Sequence, residues 1–138
     1  MVHIRPTTKA DIETFQPHRD DLLEAKAAGH GVCFPIPEEC VSMVHTWSGK
    51  VLAIGGNVGD QVWFVTSYLV SRLSRGERKA FRECILKYRN EMLAQYPTLW
   101  NYVWVGNTSH IRFLKTIGAV FENDFTLNGQ FQLFTIRR

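Results

Sequence analysis

The chain has 138 residues, of which 45% are hydrophobic and 21% charged, and its formal net charge is +3. That length suits one domain with one sizeable core, and the composition excludes a disordered or collagen-like chain. The charge is too small by itself to argue for nucleic acid.

Three cysteines, Cys33, Cys40 and Cys84, make an odd count without a C-x-x-C pair. That favours a reducing compartment over a disulfide scaffold. The opening "MVHIRPTTKAD" lacks the apolar run of a signal peptide. No stretch approaches the roughly 20 apolar residues of a membrane span. The expectation is a soluble, intracellular, single domain over residues 1–138.

In chain order, "VHIRP" predicts a short strand ended by Pro6. "TTKADIETFQ" predicts a helix capped by Thr7 or Thr8, with Ile12 and Phe15 on one face. "RDDLLEAKAAG" predicts a second helix stopped by Gly29, its charges forming a solvated face. "HGVCFPIPEE" reads as a loop, because Pro35 and Pro37 oppose regular structure. "CVSMVHTW", "VLAIGGN" and "QVWFVTS" predict a three-strand antiparallel meander with tight turns. The glycines of "GGNVGDQVW" mark either a bulge where backbone or ligand comes close, or a hairpin corner, the reading preferred here.

"ERKAFRECILKYRNEMLAQY" is the clearest helix. Phe81, Ile85, Tyr88, Met92 and Tyr96 keep the three-four spacing, and Cys84 joins them as core. Ser74 and Glu77 form a capping-box pattern at its start. "LWNYVWVG" predicts a strand and "NTSHIRFLKTIG" a short helix capped by Asn107 or Thr108 and released by Gly118. Two final strands, "AVFENDF" and "QFQLFTIRR", flank a "TLNG" turn. The order β-α-α-β-β-β-α-β-α-β-β implies an α/β (α+β) layered domain.

That order and three local motifs resemble the GNAT (GCN5-related N-acetyltransferase) family. "IRPTTKADIETF" is similar to its first strand and helix, and the meander with its long helix to its middle. "VWVGNTSHIRFLKTIGAVF" is similar to its C-terminal motif. The fold implied is a mixed, mainly antiparallel sheet flanked by helices. A second resemblance is carried by "LEAKAAG", by "AIGGN", "GDQ" and "WFVTS" in one stretch, by "LWNYVWVGNTSHIRFLKTIGAVF" and by "GQFQLFTI". These stretches are similar to small internal virion proteins of T7-like podoviruses. They imply a role in particle morphogenesis, with other virion or internal core proteins as partners, in the virion or the host cytoplasm.

The GNAT resemblance implies an acyl-coenzyme A site, whose pyrophosphate would sit on a loop of the form Arg/Gln-x-x-Gly-x-Gly/Ala before the long helix. The matching stretch is "SYLVSRLSRGERKAF". From Arg72, the third position on is Arg75, the first glycine is Gly76 at the fourth, and Arg78 follows two later. The pattern is degenerate. Val65, Arg72, Arg75, Gly76 and Asn107 are the cofactor-binding candidates that the resemblance marks. A solvated basic helix start is the plainer reading of the loop.

The family's tyrosine acid would fall four residues before Gly118, where Leu114 stands. "QVWFVTS" offers no carboxylate base, and Asp60 reads as a turn residue. Thr66, Ser67 and Tyr68 have no evident partner in the sequence. His110 is a conceivable substitute acid, though a packing histidine is the commoner case. No catalytic residue is assigned. The five histidines show no ligand spacing, so no metal is expected. Trp47, Trp63, Trp100 and Trp104 with nine Phe suit a core plus an exposed interface.

The expectation is a phage internal virion or morphogenesis protein on a catalytically degenerate acetyltransferase-like scaffold without a cofactor. The alternative is an acyl-coenzyme-A-dependent N-acetyltransferase that uses acetyl-coenzyme A. A nucleic-acid-contacting module is a third reading.

Overall fold

A computed structural model describes the backbone of residues 1–138 and every side chain except those of residues 123–125. Seven strands form one sheet: β1 (Val2–Pro6), β2 (Val41–His45), β3 (Val51–Val58), β4 (Gln61–Thr66), β5 (Thr98–Trp104), β6 (Val120–Leu127) and β7 (Phe131–Arg137). Their spatial order is β1-β2-β3-β4-β5-β7-β6. Every neighbouring pair is antiparallel except β4 and β5. Those two are parallel and share a single register pair, Gln61 with Trp100. Beyond it they part.

Four α-helices complete the fold: α1 (Lys9–Thr14), α2 (Arg19–Ala27), α3 (Arg75–Gln95) and α4 (Thr108–Thr116). Local chemistry sets their ends. Thr8 and Asp11 form a reciprocal capping box on α1, and Ser74 and Glu77 form another on α3; each satisfies helix-start N–H groups that would otherwise lack partners. The side chain of Asn107 caps α4 by accepting from the His110 N–H. Gly118 lets the chain leave α4 at φ +94, a conformation that strains side-chain-bearing residues.

The core joins Met43, Leu52, Phe81, Ile85, Met92, Leu99, Leu114, Ile117 and Phe134. These are inward positions of the strands, the apolar stripe of α3, and Leu114 and Ile117 at the end of α4, as alternation and three-four spacing require. Cys84 is half-buried against this core, and burial pushes its thiol up.

Several sequence expectations need correction. The "HGVCFPIPEE" loop contains a 3₁₀ turn at Pro37–Glu39, because proline is tolerated in a first helical turn. A second 3₁₀ turn, Tyr68–Arg72, went unforeseen; the Ser67 hydroxyl accepts the Leu69 N–H at its start. Gly55 and Gly56 are neither a bulge nor a corner. They continue β3 in register, and the corner falls at Gly59, φ +59. A Cβ on Gly55 would sit 2.8 Å from the Trp63 carbonyl oxygen, and one on Gly56 would sit 2.7 Å from that of Glu39. Close backbone approach is therefore what those glycines serve.

Candidate functional site

The parting of β4 from β5 poses a physical problem. Backbone groups on the facing edges lose their ladder partners, and buried unpaired groups are costly. The chain answers with its own N-terminal third. The His18 N–H donates to the Thr66 carbonyl at 2.8 Å, and the Tyr68 N–H donates to that of Gln16 at 3.1 Å. Residues 16–18 thus lie along the end of β4, with an isolated bridge between Pro17 and Ser67.

Two carboxylates on α2 finish the closure. Asp21 Oδ2 accepts both the backbone N–H and the hydroxyl of Thr66, each at 2.9 Å. Glu24 Oε1 accepts the Trp104 N–H at the end of β5. Asn107 Nδ2 donates to Asp21 Oδ1 at 2.9 Å and to Glu24 Oε2 at 3.0 Å. Asp21 and Glu24 are one helical turn apart, so one face of α2 spans both strands and the start of α4. Deeper in the gap, Asn101 Nδ2 donates to the Val62 carbonyl at 2.7 Å.

The "HRDDLLEAK" stretch is therefore no solvated face. Asp21 is 6% exposed, while Leu22 and Leu23 are 48% and 37% exposed. The helix points carboxylates inward and leucines outward, because the strand edges need acceptors more than the core needs leucine. Nothing local in the sequence signals this.

His110 completes the cluster. Its Nδ1 lies 3.5 Å from Asp21 Oδ1, and its ring stacks on Phe64 with centroids 4.4 Å apart. Burial pushes the Asp21 carboxyl up, but His110, Asn107 and the Thr66 N–H more than offset this and hold it below the usual carboxylate range. Beside the cluster the gap retains a cavity of about 370 Å³, mostly apolar, with Val62, Phe64, Tyr88, His110 and Leu114 among its walls. Asp21, Glu24 and His110 could bring ligand atoms within 4.8 Å of one another, a geometry that could hold a cation. Their bonds to Thr66, Trp104 and Asn107 explain the arrangement without one.

The cofactor candidates do not converge. Val65 lies in β4 and lines the cavity. Asn107 is fully buried, its amide committed to Asp21 and Glu24. Arg72 stacks over the Tyr68 ring at 5.3 Å. Arg75 and Gly76 are exposed on the first turn of α3. A Cβ on Gly76 would meet nothing within 4 Å, so that glycine keeps no cradle open. The mouth of α3 already holds a carboxylate. Glu77 takes the Ser74 N–H at 3.0 Å and His45 Nε2 at 2.6 Å. Leu114 is 1% exposed and belongs to the core. Asp60 is a turn residue, as expected, and it also accepts from Trp100 Nε1 at 2.9 Å.

At the start of α3 Glu77 is bonded to the Ser74 N–H. The Thr66 and Trp104 N–H groups in the gap are bonded to Asp21 and Glu24.

The architecture is that of the GNAT acetyltransferases. An acetyltransferase from Agrobacterium tumefaciens superposes with a TM-score of 0.68 at 15% identity, covering 99% of this chain and 91% of that one. A GNAT-family acetyltransferase from Bacillus anthracis gives 0.66 at 13% identity, covering 99% and 94%. At such identities the likeness is one of fold alone.

Sequence similarity defines a narrower group. The family described as "Bacteriophage T7, probable scaffold protein Gp13" matches residues 39–126. The "Probable scaffold protein gp13" of Escherichia phage T7 is 59% identical, covering 100% of this chain and 99% of that protein. The chain belongs to this phage family.

Proposed function

We propose that this chain is a particle-assembly protein of a T7-like phage, the counterpart of internal virion protein A, on an acetyltransferase scaffold that performs no acyl transfer and holds no acyl-coenzyme A. The observation that carries the reading is the end-to-end 59% identity to the T7 scaffold protein. A scaffold works through contacts, so its partners are other phage virion or internal core proteins. It acts in the host cell during assembly and is carried into the particle.

The geometry supports the non-enzymatic half of the reading. Asp21 and Glu24 spend the strand-gap donors on internal bonds. The surface supplies contact residues instead. Trp47, in the turn after β2, is 82% exposed, and exposed tryptophan is enriched at binding hot spots.

A second reading, an active acyl-coenzyme-A-dependent N-acetyltransferase, has one observation in its favour. His110, paired with buried Asp21, borders the cavity and could move a proton there.

Complementation of a phage lacking this gene separates the two. Trp47→Ala should lower the yield of infectious particles while the protein stays folded. His110→Gln, which keeps a hydrogen-bonding group, should be tolerated. Loss of infectivity with a folded His110→Gln protein, alongside full tolerance of Trp47→Ala, would reverse the assignment. Release of free thiol from acetyl-coenzyme A by the pure protein would do the same.

A further inference from the structure

Cations and carboxylates separate on this fold in a way the net charge conceals. On α3, Arg75, Arg78, Lys79 and Arg82 fall at offsets 0, 3, 4 and 7, one flank of a 3.6-residue helix. Glu83, at offset 8, is an exposed carboxylate at the edge of that flank; Glu91 lies off it, and Glu77 is turned back to Ser74 and His45. Arg82 Nη2 donates to the Thr116 carbonyl at 3.1 Å, which fixes the flank beside the end of α4. One turn back from Thr116 stands Arg112, with Lys115 beside it. Arg72, over the Tyr68 ring, extends the band past the start of α3. All seven cations are exposed.

None of the seven forms an ion pair among the described residues; the pairs present involve Arg5, Lys9, His45, His110 and Arg137. Glu83 is the exposed carboxylate at the band's edge, and other carboxylates of the chain are engaged internally. Asp11 and Asp21 are buried, and Glu24 is committed to Trp104 and Asn107.

We infer that this band, Arg72 to Arg82 with Arg112 and Lys115, docks the phosphate backbone of double-stranded DNA without reading its sequence. Two observations choose phosphate over an acidic protein segment. Five of the seven are arginines, whose planar fork suits phosphate oxygens. And α3 and α4 contribute none of the exposed large hydrophobic residues; Tyr68, at the band's end, lies under the Arg72 guanidinium. Protein interfaces are built round an apolar or aromatic centre, whereas DNA interfaces are polar and positively charged. Two of the guanidiniums are already held, Arg78 on the Ser71 carbonyl and Arg82 on that of Thr116, which reduces the ordering cost on binding.

The test is fluorescence anisotropy of a short labelled DNA duplex of mixed sequence, titrated with the full chain. Binding should be measurable at about 50 mM salt and weaken by roughly 10²-fold or more at about 200 mM, as release of four or more counterions requires. Arg75→Gln, Lys79→Gln and Arg112→Gln, each confirmed folded by circular dichroism, should each reduce the salt slope by about one. Lys9→Gln, on α1, should leave it unchanged. A second duplex of different sequence should bind equally. Three outcomes overturn the proposal: no binding at low salt, equal loss in the Lys9 variant, or displacement of the duplex by polyglutamate at matched charge, which would make the partner an acidic protein.

Discussion

Asp21 binds Thr66 twice, accepting its backbone N–H and its hydroxyl on one carboxylate oxygen, each at 2.9 Å. The two residues stand 45 positions apart, on a helix and on a strand that has lost its neighbour. Asp21→Asn keeps the shape but replaces one acceptor oxygen with a donor and removes the charge facing His110. We expect a loss of about 2–4 kcal/mol, the range for a buried charge-assisted cluster stripped of one partner. Urea denaturation checks this, and an unchanged midpoint would show that the cluster contributes nothing to stability.

Acid stability should be governed in part by Asp11. Arg5 grips its carboxylate at 2.6 and 3.0 Å, and the Thr8 N–H and Ser42 hydroxyl add further bonds. These contacts, Arg5 foremost, hold the carboxyl at about 2 against the upward push of burial. The folded value lies below the unfolded one, near 3.9. The stabilisation is therefore complete above pH about 4 and is lost as pH falls towards about 2. Asp11→Asn should cost about 2 kcal/mol at neutral pH and flatten the fall in stability across that window. Denaturation midpoints taken between pH about 2 and 6 decide it. Parallel profiles for both proteins would refute the assignment.

Acetyl-coenzyme A should bind more weakly than about 1 mM, which corresponds to less than roughly 4 kcal/mol. Glu77 at the helix mouth and the closed gap both oppose it. Calorimetric titration reads this directly. A micromolar dissociation constant at physiological salt would restore the enzyme reading.

Gly118→Val should destabilise by about 1–3 kcal/mol. The cost is conformational. An added Cβ would meet only Arg89 Nη1, at 3.5 Å, but φ stands at +94, where a β-branched residue is strained. Thermal melts of the two proteins check it, and equal stabilities would mean that the helix end rearranges freely.

What the sequence made legible was what is local. Of the pairs left open, Thr7 or Thr8 and Asn107 or Thr108, the caps are Thr8 and Asn107. The cap at Ser74 and the exit at Gly118 depend on a few adjacent residues and stand as read. So do the strand order of the meander and the buried stripe of α3. The closure of the gap was not visible. It joins Asp21 to Asn107 across 86 positions and Glu24 to Trp104 across 80. No periodicity in "HRDDLLEAK" reports on strands that part elsewhere, so its acids read as solvent-facing. The basic band was half-legible. Its arginines were noted at the start of α3, but Arg112 and Lys115 join them only through the packing of α4.

The single register pair between β4 and β5 also sets an order of events. During synthesis β1 to β4 emerge as a complete antiparallel unit, while β5, β7 and α4 are still to come. Until residues 104–110 appear, Glu24 has no Trp104 to hold and Asp21 has no Asn107 or His110. The helix made early can already bind Thr66, but its bonds to Trp104 and Asn107 wait for the last third of the chain, and until β5 arrives the far edge of β4 has no strand beside it. A nascent chain of this kind is most exposed to wrong partners in the middle of its synthesis, and its N-terminal segment is the element whose final docking ends that exposure.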